Sequence, residues 1–202
     1  MRTFILLLQV SLLTFFLVFI TACTSNNKSG TMETNQSASV DQGHDEATKT
    51  VFEFLNWYKT NMSRLSRIEL VTNNGYDGSD STKLYAVNFK GTEEYLRELL
   101  NSQFISEKYA AKQREYFKLC ETNFKSEPQY EGPPLGFDFD LIMLSQDFDL
   151  DQLSQVKTIS HKGTDNTNHV ILEFPYNYKL AYSLSYVNGK WLIDDIQNIT
   201  KP

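Results

Sequence analysis

One carboxylate near the end of the chain falls among large apolar residues. Residues 179–187 and 190–199 alternate in character and flank an Asn-Gly pair, which is typical of the two-residue turn of a β-hairpin. Such a turn fixes the register and predicts that Tyr182 faces Asp195 across the strands. A carboxylate on an apolar sheet face must be paired, hydrogen-bonded or protonated, because burying a bare charge is very costly. The sequence therefore predicts a pocket in which Asp195 is the polar group.

Four aromatic side chains accompany Asp195 in this candidate pocket: Tyr182, Trp191, Trp57 and Tyr58. The first two are predicted to share the apolar face of the hairpin. The other two belong to the first helix, where they either pack in the core or face a ligand. An acid or base role for Asp195, with Tyr182 as donor, would require surroundings that favour the protonated carboxyl near neutral pH. The structural alternative puts Asp195 beyond the sheet edge, in contact with water.

A second set of carboxylates lies in the most acidic passage, residues 138–151. Five aspartates alternate there with large apolar residues: Asp138, Asp140, Asp147, Asp149 and Asp151. The last three have a spacing that suggests metal binding, but no glycine turn or closing glutamate follows, and Thr158 occupies the closing position of a calcium loop. A half-buried segment with outward carboxylates is the favoured interpretation, and no metal or other cofactor is predicted.

The N-terminus predicts where the protein resides. Arg2 precedes an apolar run over residues 4–23, and a positive start, an apolar core and small residues at the exit are the parts of a secretory signal. The run ends in Ile20-Thr21-Ala22-Cys23, which resembles the lipobox of bacterial lipoproteins. The resemblance implies a signal peptide over residues 1–22, diacylglyceryl transfer to Cys23 and a membrane contact through that lipid. The alternative is an uncleaved membrane-spanning anchor, but the polar residues 24–27 favour the lipobox.

Composition restricts the partners of the mature chain. Removing residues 1–22 leaves 180 of the 202 residues, and loss of Arg2 changes the net charge from −6 to −7. Without clustered lysines or arginines, an acidic chain of this kind is not expected to bind nucleic acid. Lipidation of Cys23 would leave Cys120 as the single free cysteine, which excludes an internal disulfide. Cys120 is either a reactive thiol or, as its helical surroundings favour, a buried structural residue.

Hydrophobic periodicity predicts a polar tether followed by one domain. Residues 23–45 are rich in polar residues and are predicted to be a flexible tether, and residues 46–202 to form a single α+β domain. Apolar stripes and turn residues place helices at about 46–65, from 91 and from about 106 to before Pro128. Asp45 is the predicted N-cap of the first helix. Strands are predicted at 83–89, 155–161, 168–176, 179–187 and 190–199.

This order of helices and strands resembles a cystatin-like or nuclear-transport-factor-2-like domain, in which helices pack on a curved antiparallel sheet. More narrowly, residues 51–58, 145–148 and 191–195 are similar to bacterial lipoproteins grouped as domain of unknown function 3828. The resemblance covers roughly residues 45–199. It implies the fold but no activity, because that family has none agreed and the fold serves both enzymes and passive binders.

Three functions from different classes follow. The leading hypothesis is a lipid-anchored, non-enzymatic binding or interaction module of the cell envelope, for an unknown small molecule or protein. The second is an isomerase-like or dehydratase-like enzyme that uses Asp195. The third is an immunity or inhibitor lipoprotein that contacts a basic partner through residues 138–151.

Two further observations bear on these hypotheses. The resemblance implies that enzymes of this fold use a pocket His–Asp pair, whereas strand alternation places His169 on the solvent face; no catalytic residue is therefore assigned. Thr24 stands where an aspartate would resemble an inner-membrane retention signal. The predicted location is the outer membrane, facing the periplasm.

Overall fold

The computed structural model describes residues 37–73 and 84–201, in which three helices accompany two antiparallel sheets. The helices are α1 (Ser37–Leu65), α2 (Phe89–Asn101) and α3 (Glu107–Ser126). The strands are β1 (Val71–Asn73), β2 (Tyr85–Val87), β3 (Lys157–Gly163), β4 (Thr167–Glu173), β5 (Lys179–Val187) and β6 (Lys190–Asn198). Short 3₁₀ helices cover Leu150–Gln155 and Pro175–Asn177. The predicted α+β class, with helices on an antiparallel sheet, is confirmed.

Strands β3 to β6 form a meander in which each strand pairs with the next along the chain. Strands β1 and β2 form a separate pair. The strand pairs at the two ends of the meander, β3–β4 and β5–β6, each contain a β-bulge. One bulge lies between Thr158 and Ser160 of β3, and the other lies in β6, opposite Ser183 and Leu184. Bulges bend a strand and increase its twist, which is how a sheet of this kind acquires curvature.

Helix α1 supplies one side of the core. Its residues Val51, Phe54, Leu55 and Tyr58 recur at helical spacing and are buried, and α1 packs against β3, β4 and β6. The sheet contributes the alternate residues of its inner face: Val170, Leu172, Leu180, Tyr182, Leu184, Trp191 and Ile193. Each fully buried side chain of this size contributes about 1.5–3 kcal/mol to folding. Burial of this interface therefore holds the helix on the sheet.

The start of α1 differs from the prediction. The helix begins at Ser37, so residues 37–45 are helical rather than part of the tether, and Asp45 is not the N-cap. Residues 37–45 contain no proline, and once a helix has nucleated each added residue gains a hydrogen bond. The predicted signal peptide, Cys23 and the rest of the tether lie outside the described residues. Within 37–73 and 84–201, no helix is long and apolar enough to cross a bilayer.

The starts of α2 and α3 are fixed by side-chain caps. Asn88 caps α2 by accepting a hydrogen bond from the Gly91 N–H at 3.1 Å, so the helix begins before the predicted residue 91. Ser106 caps α3 as its position predicts, through the Tyr109 N–H. The segment before α3 also bonds to β6, since the Ser106 N–H donates to the Ile193 carbonyl and the Ile193 N–H to the Phe104 carbonyl. These bonds cover the edge of β6.

Candidate functional site

The β5–β6 hairpin contains an irregularity that changes the predicted pocket. Near the turn the predicted register is confirmed: Tyr186 pairs with Trp191 and Leu184 with Ile193. Beyond Ile193, however, β6 contains one extra residue, Asp194, so Ser183 pairs with Asp195 and Tyr182 pairs with Ile196. The prediction that Tyr182 faces Asp195 is therefore wrong. A bulge of one residue reverses the side-chain parity of everything that follows it.

Asp195 consequently lies on the outer face of the sheet. Its carboxylate is 2.8 Å from the Lys112 ammonium group and accepts a hydrogen bond from the Gln197 side chain at 2.8 Å. Its neighbour Asp194 accepts hydrogen bonds from Lys108 and Ser185, each at 3.1 Å. The apolar position that Asp195 was predicted to occupy is taken by the buried Ile196. Asp195 is thus a salt-bridged carboxylate near the surface.

The four aromatic residues of the predicted pocket lie in different surroundings. Tyr182 and Trp191 are buried in the inner face of the sheet, and neither the Tyr182 hydroxyl nor the Trp191 indole N–H has a hydrogen-bond partner among the described residues. Burial raises the Tyr182 pKa well above its ordinary value. Trp57 is half-buried and its ring stacks on Phe54 at 6.1 Å. The structure does not gather these rings around Asp195.

Tyr58 instead helps to organise the acidic passage. Its hydroxyl donates to Asp140, whose other oxygen accepts the N–H groups of Ile142 at 2.9 Å and Met143 at 2.7 Å. Burial, and then the negative charge of Asp140, raise the pKa of Tyr58 far above its ordinary value. Tyr178 donates to the Met143 carbonyl. These bonds link the turn at residues 140–143 to α1 and to the start of β5.

The turn at residues 140–143 is followed by one wall of a surface cleft, which we call the acidic–aromatic cleft. It has a volume of about 410 Å³, within the range of small-ligand sites. One wall is formed by residues 146–152 and the other by residues 174–178, the connection between β4 and β5. The lining residues are Gln146, Asp147, Phe148, Asp149, Gln152, Phe174, Pro175, Tyr176 and Tyr178.

The first wall carries two carboxylates. Asp149 accepts hydrogen bonds from the Gln152 side chain at 2.7 Å and from the Asp151 N–H at 2.8 Å, and these bonds lower its carboxyl pKa. Asp147 is exposed, and its backbone is held on both sides by the Ser145 hydroxyl. Among the described residues, neither Asp147 nor Asp149 forms a salt bridge. This wall is therefore negatively charged at neutral pH.

The second wall is a tight turn that presents aromatic rings. A hydrogen bond from the Phe174 N–H to the Tyr178 carbonyl, at 2.8 Å, closes the turn. Tyr176 and Asn177 have left-handed backbone angles, with φ of 63° and 62°. Tyr176 is 94% exposed, whereas the rings of Phe174 and Tyr178 are packed 5.8 Å apart. Burial raises the pKa of Tyr178 to about 12.

Tyr176 is the last residue of the strand predicted over residues 168–176. The predicted end is wrong, because β4 ends at Glu173 and Pro175 begins a 3₁₀ turn. Pro175 was the available signal, since proline restricts a strand to an edge or an end. The two walls of the cleft lie about 25 residues apart in the sequence, and no local pattern predicts their contact.

The described residues contain one further row of polar side chains, on the outer face of the sheet. His169 is exposed, as predicted, and its Nδ1 is 3.3 Å from the Ser183 hydroxyl. Ser183 lies between His169 and Asp195, because it pairs with His169 on one side and with Asp195 on the other. The Asp195 carboxylate pairs with Lys112 and does not orient the imidazole. A nucleophilic triad needs the histidine in the middle position. The row does not have that arrangement.

Within residues 37–73 and 84–201, no group of three or more His, Cys, Asp or Glu side chains is placed to hold a metal ion. Asp149 and Asp151, which the sequence spacing singled out, accept a hydrogen bond from Gln152 and form a salt bridge with Lys59, respectively.

The chain was compared with protein-family models, with curated proteins and with solved structures, and none of them matches it.

Proposed function

We propose that this protein is a lipid-anchored, non-enzymatic binding module of the bacterial cell envelope and that its ligand binds in the acidic–aromatic cleft. The observation that carries the proposal is the cleft itself, which has a ligand-sized volume, four aromatic side chains in its lining and two carboxylates that form no salt bridge among the described residues. A concave, largely apolar surface with a few convergent polar groups is the usual form of a binding site.

The chemistry of the lining favours binding over catalysis. Its charged groups are Asp147 and Asp149, and the side chains around them are amides and aromatic rings. The pKa of Asp149 is lowered, whereas a general acid needs a pKa near the working pH. The enzyme hypothesis relied on Asp195 in an apolar pocket, and that residue is salt-bridged to Lys112 outside the core.

The proposed anchor rests on the resemblance of Ile20-Thr21-Ala22-Cys23 to a lipobox. Two acyl chains are needed for stable membrane attachment, which a diacylglyceryl group on Cys23 would supply. We place the protein at the outer membrane, facing the periplasm, because Thr24 is not the aspartate of a retention signal.

The cleft lies near the C-terminal end of α1. The helix has 29 residues and is therefore about 44 Å long. Tyr58 and Lys59, which contact Asp140 and Asp151 near the cleft, lie in its last third. Within this arrangement the cleft is far from the start of the helix.

The anchor is tested by Cys23→Ala. We expect the variant to lose incorporation of radiolabelled palmitate. It should then either leave the membrane fraction for the soluble fraction or accumulate as the uncleaved precursor. Cys120→Ala, which removes the other cysteine, is the matched control and keeps labelling. Unchanged labelling of the Cys23→Ala protein would contradict the proposed lipidation.

The cleft is tested with the full chain in detergent, labelled with 3-fluorotyrosine and observed by ¹⁹F NMR. The probes are three hexapeptides in which glycine alternates with lysine, glutamine or glutamate. At least one probe should shift the Tyr176 signal saturably and leave the exposed Tyr130 unchanged. Tyr176→Phe and Tyr130→Phe assign the two signals. If no probe of any charge shifts Tyr176, the cleft is not the binding site.

A further inference from the structure

We infer that the acidic–aromatic cleft recognises an organic cation, an ammonium or guanidinium group on an alkyl stem such as a lysine or arginine side chain. This inference rests on the proposed function of the cleft as the binding site. It specifies the chemical class of the ligand and assigns Tyr176 as a residue that determines specificity.

The charge of the lining is the first argument. Asp147 and Asp149 contribute two negative charges, and the lining contains no lysine or arginine. Lys59, whose charge also helps to lower the pKa of Asp149, is already bound to Asp151 at 2.7 Å. A cationic ligand would therefore form the salt bridges that the two carboxylates lack among the described residues, whereas an anion would be repelled.

The hydrogen-bonding capacity of the wall is the second argument. The Gln152 amide donates to Asp149 at 2.7 Å, and the Gln146 amide donates to Asp138 at 3.4 Å. Each side-chain amide of the lining thus already donates one of its two N–H groups to an aspartate. The carboxylates remain as acceptors, and an ammonium or guanidinium group, which only donates, matches them.

The aromatic wall is the third argument. Phe148, Phe174, Tyr176 and Tyr178 line the same cleft. Aromatic faces attract cations within about 6 Å of the ring centre, and alkyl stems of lysine and arginine pack along apolar surfaces while the charged head reaches a polar group. Rings beside carboxylates therefore suit both parts of such a side chain.

Tyr176 is the residue that the fold itself does not explain. It is 94% exposed, so its ring gains almost nothing from packing, and its φ of 63° is unfavourable for a side chain of this size. Glycine or asparagine would serve the turn better. An aromatic ring held out beside the cleft by a rigid turn is accounted for by contact with a ligand.

The test is isothermal titration calorimetry of the full chain in detergent with the three hexapeptides, and with spermidine. We expect the lysine peptide to bind about tenfold more tightly than the glutamine peptide, and the glutamate peptide not to bind, as a charge-selective site requires. Spermidine tests the source of the cation: tighter binding of the peptide indicates a protein ligand, and tighter binding of spermidine a free amine. Either result supports a cation site.

Variants locate the binding. We expect the double variant Asp147→Asn with Asp149→Asn to weaken lysine-peptide binding about tenfold, and Tyr176→Asn about fivefold, since each removes one kind of contact. Asparagine at 149 can still accept the Asp151 N–H, and asparagine at 176 suits the left-handed turn. The controls Asp165→Asn and Tyr130→Ser, which make comparable changes outside the lining, should stay within about twofold. Circular dichroism melting checks that each variant is folded.

Two results would overturn the inference. The first is that a glutamine or glutamate peptide binds at Tyr176 as tightly as the lysine peptide does. The cleft would then still be a binding site, and only the ligand class that we assign to it would be wrong. The second is lysine-peptide binding that is insensitive to all cleft variants and disappears with salt, which indicates non-specific attraction to an acidic chain. Failure of every probe to reach Tyr176 would instead remove the proposed function.

Discussion

Gly136 shows how closely single residues are fitted around the loop that follows α3. Its φ is 85°, and a Cβ atom there would lie 2.9 Å from the Cys120 sulfur and 3.1 Å from the Tyr116 hydroxyl. Gly132 has a similar φ of 75°, but a Cβ atom at that position would have no neighbour within 4 Å. Cys120 is buried, and burial raises its thiol pKa, in agreement with a structural rather than a reactive cysteine.

This pair of glycines separates backbone strain from crowding. We expect Gly132→Ala to lower the free energy of unfolding by about 1 kcal/mol, because alanine is unfavourable at a positive φ. Gly136→Ala should lower it by about 2–4 kcal/mol, since overpacking adds to the same strain. Urea unfolding measures both values. Equal losses in the two variants would show that the loop moves aside freely.

Tyr176 has the opposite relation to stability. Because its left-handed backbone is strained and its ring is exposed, Tyr176→Asn should raise the free energy of unfolding by about 0.5–1 kcal/mol. Tyr176→Phe keeps the strain and should leave stability unchanged. Urea unfolding of the two variants measures the difference. A loss of stability in Tyr176→Asn would mean that the ring does pack on the domain.

At the scale of elements, one carboxylate attaches the small β1–β2 pair to the helices. The Glu121 side chain, on α3, accepts the Val87 N–H of β2 at 2.8 Å and pairs with Lys125 at 3.0 Å. The Val87 N–H, and then Lys125, lower the pKa of Glu121 below its ordinary value of 4.5. The folded protein therefore prefers the charged carboxylate.

This preference predicts a contribution that depends on pH. A carboxyl whose pKa is lowered by folding stabilises the protein above its unfolded pKa, and the contribution is lost as the pH falls through the folded value. The Val87 amide proton should therefore titrate below pH 4.5 in an NMR experiment. In Glu121→Gln the titration should be absent and stability at pH 7 lower by about 1 kcal/mol. Glu115→Gln, on the exposed part of α3, is the control; a Val87 titration that survives Glu121→Gln would contradict the assignment.

The elements also show what the sequence can predict. The apolar stripe that includes Val51, Phe54 and Tyr58 predicts α1 and its buried side, and the Asn-Gly turn predicts the hairpin with its first pairs. The start of α1 at Ser37 was not predicted, because a polar stretch carries no periodic signal even where helix propagation is favourable. The sequence does not predict the bulge at Asp194 for a related reason. A regular strand without a bulge fits the same alternation of apolar and polar residues equally well.

At the scale of the whole molecule, the described tyrosines include a buried and an exposed group. Tyr58, Tyr95 and Tyr109 lie in the core near the Asp140 carboxylate, Tyr182 lies in the core near Tyr109, and burial raises the pKa of each. Tyr130 and Tyr176 are exposed. The sequence predicts Tyr182 on the apolar face of the hairpin and Tyr58 either in the core or facing a ligand. The arrangement of the buried rings depends on contacts between the helices and the sheet that no local pattern encodes.

This division predicts the alkaline behaviour of the protein. Groups whose pKa is raised by folding contribute stability below their unfolded pKa of about 10 and lose it as the pH rises toward the folded value. Absorbance at 295 nm should therefore show the buried tyrosines ionising well above pH 10, in a step that coincides with unfolding by circular dichroism. Tyr178, with a pKa of about 12, should ionise before them. A single transition near pH 10 without unfolding would contradict the buried cluster.

The extra residue in β6 means that the last strand can be shortened by one residue at this point. Ile196 pairs with Tyr182, and Asp195 with Ser183, because Asp194 bulges out of the ladder before them. Loss of the Asp194 codon would remove the bulge and keep these pairs, with the isoleucine in the core and Asp195 on the outer face beside Lys112. A one-residue insertion or deletion near the turn would instead move the apolar residues that follow it to the outer face, and would therefore be more harmful than most substitutions.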